Sequence, residues 1–420
     1  SSGKGGHWTG GLIGISGGWG GDGPVRMKIT IKDCSVTYST IEGKGSVGGI
    51  IGHSINDANT ASTITGVTVQ NNNITSTGSS KVKAGAVMGT VGVATTTLDA
   101  NVSLNIVKSG GAAAPGIYGR FGSTGSTLAI VGGSYDCGVK APEVASTLAV
   151  SGGTFAEAVP AEYIVEGYEL SKNDNGTYSV DEMAPVAKIG DTEYKYLDKS
   201  LAAAKDGDTV TIIADITVTD TLNVPLKSIT LKAADGVKAV MAGGIKVEQN
   251  KDAANLDMTF DNLVIEKNLW VEGYTTSNLS KVKNFTVKNC TFQNGASLRG
   301  AGSAYMLDIN NTGNGSEPIS NLKVINNKFI GYGSSTKISG IWAGVCGTAT
   351  IEGNTFTNIG HHGIAVYANG ALSEGVVLNI NNNEFDYGLT GGGGVAIQLD
   401  GLNQIPGASI DLTENAFLTD

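Results

Sequence analysis

Proline is scarce in this chain, 8 residues in 420, while glycine is abundant at 62. The shortage excludes a proline-rich linker protein, and the glycines keep no three-residue period, which excludes collagen. Cysteine is also rare. Cys34, Cys137, Cys290 and Cys346 form no CxxC pair, so a zinc site of that kind is excluded, and a disulfide framework is not expected in so long a chain. No apolar run approaches the ~20 residues that a membrane-spanning helix needs, and no signal-peptide pattern opens the sequence. Positive charge is short too. The net charge is −10 and the pI about 5.0, which leaves no basic stripe for nucleic acid or an anionic membrane. Mild acidity of this size serves solubility.

What the chain has is repetition. FTVKNCTF (285–292), LKVINNKF (322–329), ATIEGNTF (349–356), LNINNNEF (378–385) and IDLTENAF (410–417) are variants of one phrase. Alternating apolar residues run into Asn or another small residue and then Phe. Phe292, Phe329, Phe356, Phe385 and Phe417 fall 37, 27, 29 and 32 residues apart. Such periods indicate stacked rungs, each too small to bury its own apolar face. The unequal spacing argues against a propeller. Asn at the repeated turn tolerates left-handed backbone, and stacked Asn amides can bond along a column. Cys34 and Cys290 occupy the Asn position of the phrase, where buried small-residue packing is expected.

Residues 1–160 carry a different unit. GGLIG (10–14), GGIIG (48–52), GAVMG (85–89) and PGIYG (115–119) read as compact strands with glycine flanks, each followed by a longer alternating strand. TLAIVGGSY (127–135) and TLAVSGGTF (147–155) are shorter rungs. Residues 161–185 read as a hairpin or linker around NDNG (173–176). Residues 186–420 form a second module, with a helix near 197–205 whose apolar positions are Leu197, Leu201 and Ala204, stopped by Asp206-Gly207. That helix is placed to cover the first rung. The fold class read from these features is all-β: two parallel β-helical solenoid modules, the second capped by a short helix.

KIGDTEYKYLDKSLAAAKDGDTVTIIADITV resembles the N-terminal entry of right-handed parallel β-helices of the pectin-lyase-like superfamily, and NNKFIGYG, GNTFTNIGHHGIAVYANG and NNNEFDYG resemble that superfamily's repeats. The GGLIG and GGIIG units resemble GLUG-type repeats of bacterial surface proteins. SGGTFAEAVPAEYIVEGYELSKNDNGTYSV resembles the phrase that closes modules in large extracellular proteins of gut Firmicutes. The resemblance implies an extracellular or cell-surface setting and attachment to further domains of a longer protein. It does not choose an activity, because the fold hosts lyases, hydrolases, epimerases and adhesins.

Catalysis on such a scaffold requires clustered carboxylates, with calcium and a base in lyases or with acid and base Asp in hydrolases. When the strand after each Phe is stacked by its apolar positions, Asp308, Gly344, Tyr367 and Gln398 share one column. Trp342, Ala365 and Ala396 share a second, and Asn310, Cys346, Asn369 and Asp400 a third. No column pairs carboxylates on adjacent rungs. Asp308, His361 and Asp400 are the weak catalytic candidates. His361 and His362 are expected as exposed turn residues, without further ligands for a metal. No cofactor is called for, and calcium, which the fold leaves open, is not indicated. Trp270, Tyr274, Trp342, Tyr367 and Gln398 are the candidate ligand-binding residues, aromatics for sugar rings beside a few polar groups. The alternative placement for these aromatics is the core. The functional reading is a non-catalytic, adhesin-like binding or spacer segment contacting a glycan or a host surface protein. The alternatives are a lyase or glycoside hydrolase acting on acidic polysaccharide, and a purely structural stalk.

Overall fold

The computed structural model describes residues 8–16, 28–54, 61–78, 83–92, 95–122, 124–247, 256–271, 282–293, 304–309, 319–331, 338–367, 375–386, 395–401 and 405–418. The protein is built almost wholly of β-strands. It divides into two compact units, Ser1–Met183 and Ala184–Asp420.

The second unit is a three-faced stack of parallel rungs. Its second face is an eight-stranded parallel sheet running from Ile216–Val218 to Ala416–Leu418. The first and third faces join into one larger sheet, because the strand Ile338–Glu352 turns the corner between them unbroken and serves both. On every face, alternate residues point inward, so one apolar core fills the stack. Phe292, Phe329, Phe356, Phe385 and Phe417 lie in exact register along the second face. Their rings stack with centroids 4.7, 4.8, 4.9 and 5.1 Å apart and planes within 9° of parallel. Each enclosed ring contributes about 1.5–3 kcal/mol of burial.

The turn before each Phe divides two tasks that the sequence reading gave to one residue. The left-handed position is the first of a pair: Asn289, Asn326, Gly353, Asn382 and Glu414 have φ between 54 and 67°. The second of the pair forms the ladder. Asn327, Asn354, Asn383 and Asn415 each accept, through the side-chain oxygen, from the backbone N–H one rung before. Their amide nitrogens donate to the backbone carbonyls of Val287, Val324, Ile351 and Ile380. Every polar group in this buried corner is thereby answered.

The first rung of this unit is closed by Leu197–Ala203, two residues shorter at its end than expected, with Leu197 and Leu201 buried. Lys227 Nζ donates to the carbonyls of Ala202 and Ala204, answering the helix C-terminus. The strand Ala187–Ile189 pairs antiparallel with Thr209–Ile212 and covers that edge.

The first unit has the same turn with a different filling. Tyr38, Asn71 and Leu104 are left-handed, and Asn72 and Asn105 accept from Ser39 N–H and Asn72 N–H. Its longest sheet runs from Thr30–Lys32 through Ser62–Gln70, Thr95–Ser103 and Thr127–Tyr135 to Thr147–Phe155. The hairpin Tyr168–Lys172/Tyr178–Glu182 finishes it antiparallel. The first three glycine phrases are each two short strands in two sheets rather than one compact strand, as in Ser46–Gly48 and Ile51–Ser54, while PGIYG enters only Tyr118–Phe121. The flanking glycines let those sheets meet backbone to backbone. A Cβ at Gly89 would lie 2.5 Å from both Gly52 O and Val47 N.

Burial pushes the thiols of Cys137 and Cys290 up to about 12, which makes them packing groups. Cys34 departs from the expected burial and is half exposed, although its Sγ makes the same 3.2 Å contact to the carbonyl two residues back that Cys290 makes.

Candidate functional site

The third face of the second unit is built from short apolar-x-apolar strands. Leu222–Val224, Ile245–Val247 and Leu269–Val271 each bury their first and last residues and turn the middle one out. Register carries that outward position through Asn223, Lys246, Trp270, Asp308, Trp342, Ala365 and Gln398. Consecutive members are about 4.8 Å apart by strand spacing, so the two indoles are separated by about 10 Å.

This alignment corrects the columns read from sequence. Asp308 sits opposite Trp342, two residues from the expected Gly344, and Gln398 sits opposite Ala365, two residues from Tyr367. Asp400 pairs with Tyr367, which pairs with Gly344, two residues along the same strands. The pairings of Trp342 with Ala365 and Gly344 with Tyr367 agree with the sequence reading. The side chain of Tyr367, the side chain of Cys346, and all of Tyr274, Asn310 and Asn369 lie outside the described residues.

Trp270 and Trp342 are half-buried and belong to the outer surface, not the apolar core. Lys246 Nζ lies 5.3 Å from the Trp270 ring centroid, a cation–π contact. The Tyr305 ring packs 4.4 Å from Trp342 at 53°. Asp308, between the two indoles, is fully buried. Gln398 ends the ladder half-buried, its Oε1 without a hydrogen bond. Lys246 and Tyr305 were not among the residues singled out from sequence. The signal for Lys246 was present in the matching triplets LNV, IKV and LWV.

Asp308 and Asp400 stand three rungs apart in different columns. Their spacing of at least ~14 Å exceeds the separations used in glycoside hydrolysis. His361 is not an exposed turn residue. Its N–H donates to Ile338 O, its carbonyl accepts from Val395 N–H, and its Nδ1 lies 3.2 Å from the Oγ of the buried Ser339. His362 opens the strand His362–Tyr367, its ring 3.6 Å from that of His361. Burial first, and His361 second, hold His362 below the usual imidazole range. Among the described residues, no three His, Cys, Asp or Glu are grouped to hold a metal ion, and no helix is long and apolar enough to cross a membrane.

Residues 228–414 match the family model described as a right-handed beta helix region. The stretch that carries Phe292, Phe329, Phe356 and Phe385 and the ladder from Lys246 to Gln398 is thus a right-handed parallel β-helix. No curated protein and no solved structure matches the chain.

Proposed function

We propose that the second unit is a non-catalytic carbohydrate-binding segment of an extracellular, surface-exposed protein, which holds a glycan along the outward ladder of its third face. The observation that carries this reading is the single line of Lys246, Trp270, Asp308, Trp342 and Gln398 on consecutive rungs, with Ala365 as its one apolar gap. Two indoles about 10 Å apart offer ring surfaces at a repeat set by the backbone, with a cation at one end and an amide at the other. Half-buried aromatics with a few polar groups are the usual lining of a ligand site. The separation of Asp308 from Asp400 favours binding over hydrolysis, and β-helix domains are often extracellular.

The test is binding of a polysaccharide panel, acidic and neutral, by calorimetry, with product release followed in parallel. A ligand should bind without new reducing ends or unsaturated uronate, and Trp270→Ala or Trp342→Ala should weaken it by about 2 kcal/mol, roughly thirtyfold. Product release would move the assignment to a lyase or hydrolase. Binding unchanged in both variants would remove this face from the function.

A further inference from the structure

A second polar column lies in the first unit, on the sheet that contains Ile51–Ser54, Met88–Val91 and Tyr118–Phe121. His53, Thr90 and Arg120 occupy one register position on its consecutive strands. The side chain of His53 reaches along the column toward the rung of Arg120. A Cβ placed at Gly122 would lie 3.6 Å from His53 Nε2 and 2.8 Å from the Thr90 methyl. Trp8 closes the other side, its ring edge-on to His53 at 5.6 Å and 72°. Thr90 is fully buried and its hydroxyl is bonded to that of Ser46 at 2.5 Å.

Two nitrogens in this column are buried without a hydrogen bond, Nδ1 of His53 and Nε of Arg120. Buried donors are almost always answered by protein, water or a ligand, as the corner Asn72 and Asn105 of the same unit are. Among the described residues Arg120 has no ion pair. Burial, and secondarily the Arg120 charge, hold His53 down to about 4, so at neutral pH its imidazole is uncharged and presents one N–H.

We propose that His53 and Arg120 form a binding site for a small oxyanion, a carboxylate or sulfate group, with Trp8 beside it. Arg120 supplies the positive charge and a guanidinium donor suited to such a group. The neutral His53 adds a hydrogen bond, and Gly122 keeps any further side chain out of the contact between Thr90 and His53. In a chain of net charge −10, an arginine without a carboxylate partner marks where an acidic ligand is tolerated. The site belongs to the first unit and uses no residue of the tryptophan ladder.

The test uses the full chain with ¹⁵N-labelled histidine, which gives four imidazoles to follow. Glucuronate, acetate and sulfate are titrated in turn, with glucose as the neutral control. The expected result is a saturable shift of the His53 ring with the anions and none with glucose. Arg120→Gln should weaken binding by about tenfold or more, with Arg120→Lys recovering part of it. Glucuronate binding about tenfold tighter than acetate would identify a sugar-borne acid read together with Trp8, and equal affinities a free small oxyanion. Either arm supports the site. The proposal is overturned if no anion gives a saturable His53 shift, if glucose shifts the ring as glucuronate does, or if folded Arg120→Gln binds as the parent does. Should Arg120→Gln fail to fold, the wild-type titration against glucose still decides.

Discussion

The two units reach the same rung spacing by opposite routes. The second fills its stack with large side chains, a column of phenylalanines held at 4.7 to 5.1 Å. The first removes side chains, so that glycine columns bring two sheets together with only backbone between them. Both use the same corner, a left-handed residue followed by an Asn whose amide spans two rungs. The contrast teaches that the parallel stack is specified by its corner, while the faces can be thick or thin.

That contrast can be broken from either side. The largest effect is expected at Gly89→Ala. Its Cβ would meet the backbone of both neighbouring strands at 2.5 Å, where no rotamer can relieve the contact, so about 4–5 kcal/mol should be lost in chemical denaturation. Hydrogen exchange should place the loss in residues 46–122. A loss under about 1 kcal/mol would show that the sheets can part, and that the glycines are not what sets their approach.

Phe356→Ala should cost about 3–4 kcal/mol, because the ring is fully buried and stacked on both sides. The same change at Phe417, which is 57% exposed at the end of the column, should cost about 1 kcal/mol. Equal costs at both positions would mean that the column is not cooperative packing but a set of independent contacts.

Acid offers a third probe, directed at the first unit. His53 has a folded value of about 4 against an ordinary 6.5, so the unfolded chain takes up a proton that the folded chain refuses. Its contribution is intact above pH 6.5 and is lost as pH falls from 6.5 toward 4, by about 3 kcal/mol in all. Stability measured across that range should fall less steeply in His53→Gln than in the parent; parallel slopes would contradict the assignment.

Asn354→Ala should cost about 2–3 kcal/mol, since it strands the Val324 carbonyl and the Asn327 N–H inside the corner. Asn105→Ala tests the equivalent corner of the first unit, where the residue is less enclosed, and a smaller loss of about 1–2 kcal/mol is expected by denaturant titration.

The fold was legible in the sequence because its signals are local. The Phe and Asn of each phrase recur at fixed offsets from the turn, and the stack brings those positions together without further information. The site was legible only in part. Trp270, Trp342 and Gln398 could be named as candidate ligand residues, with the core left open as the place of the aromatics, and Asp308 and Gln398 were aligned two residues out of register. A two-residue slip returns every side chain to the same face, so alternation cannot detect it. The register is set instead by the backbone path between the faces. The His53–Arg120 column was invisible for a related reason. Its members lie 37 and 30 residues from Thr90, in strands where the repeat is carried by glycine and the polar position varies.

The Asn ladder of the second unit has a direction. Asn327 donates its amide N–H to the oxygen of Asn354, Asn354 to Asn383, and Asn383 to Asn415. The amide dipoles therefore point the same way for four rungs, each link polarising the next. Before Asn327 the position is held by Cys290, whose thiol cannot take part in that relay. The relay therefore gives the wall of the stack an electrical polarity that begins at a defined rung. Mutual polarisation makes an interior link worth more than a terminal one, and an aliphatic residue at Asn354 or Asn383 would divide the relay into shorter, weaker pieces.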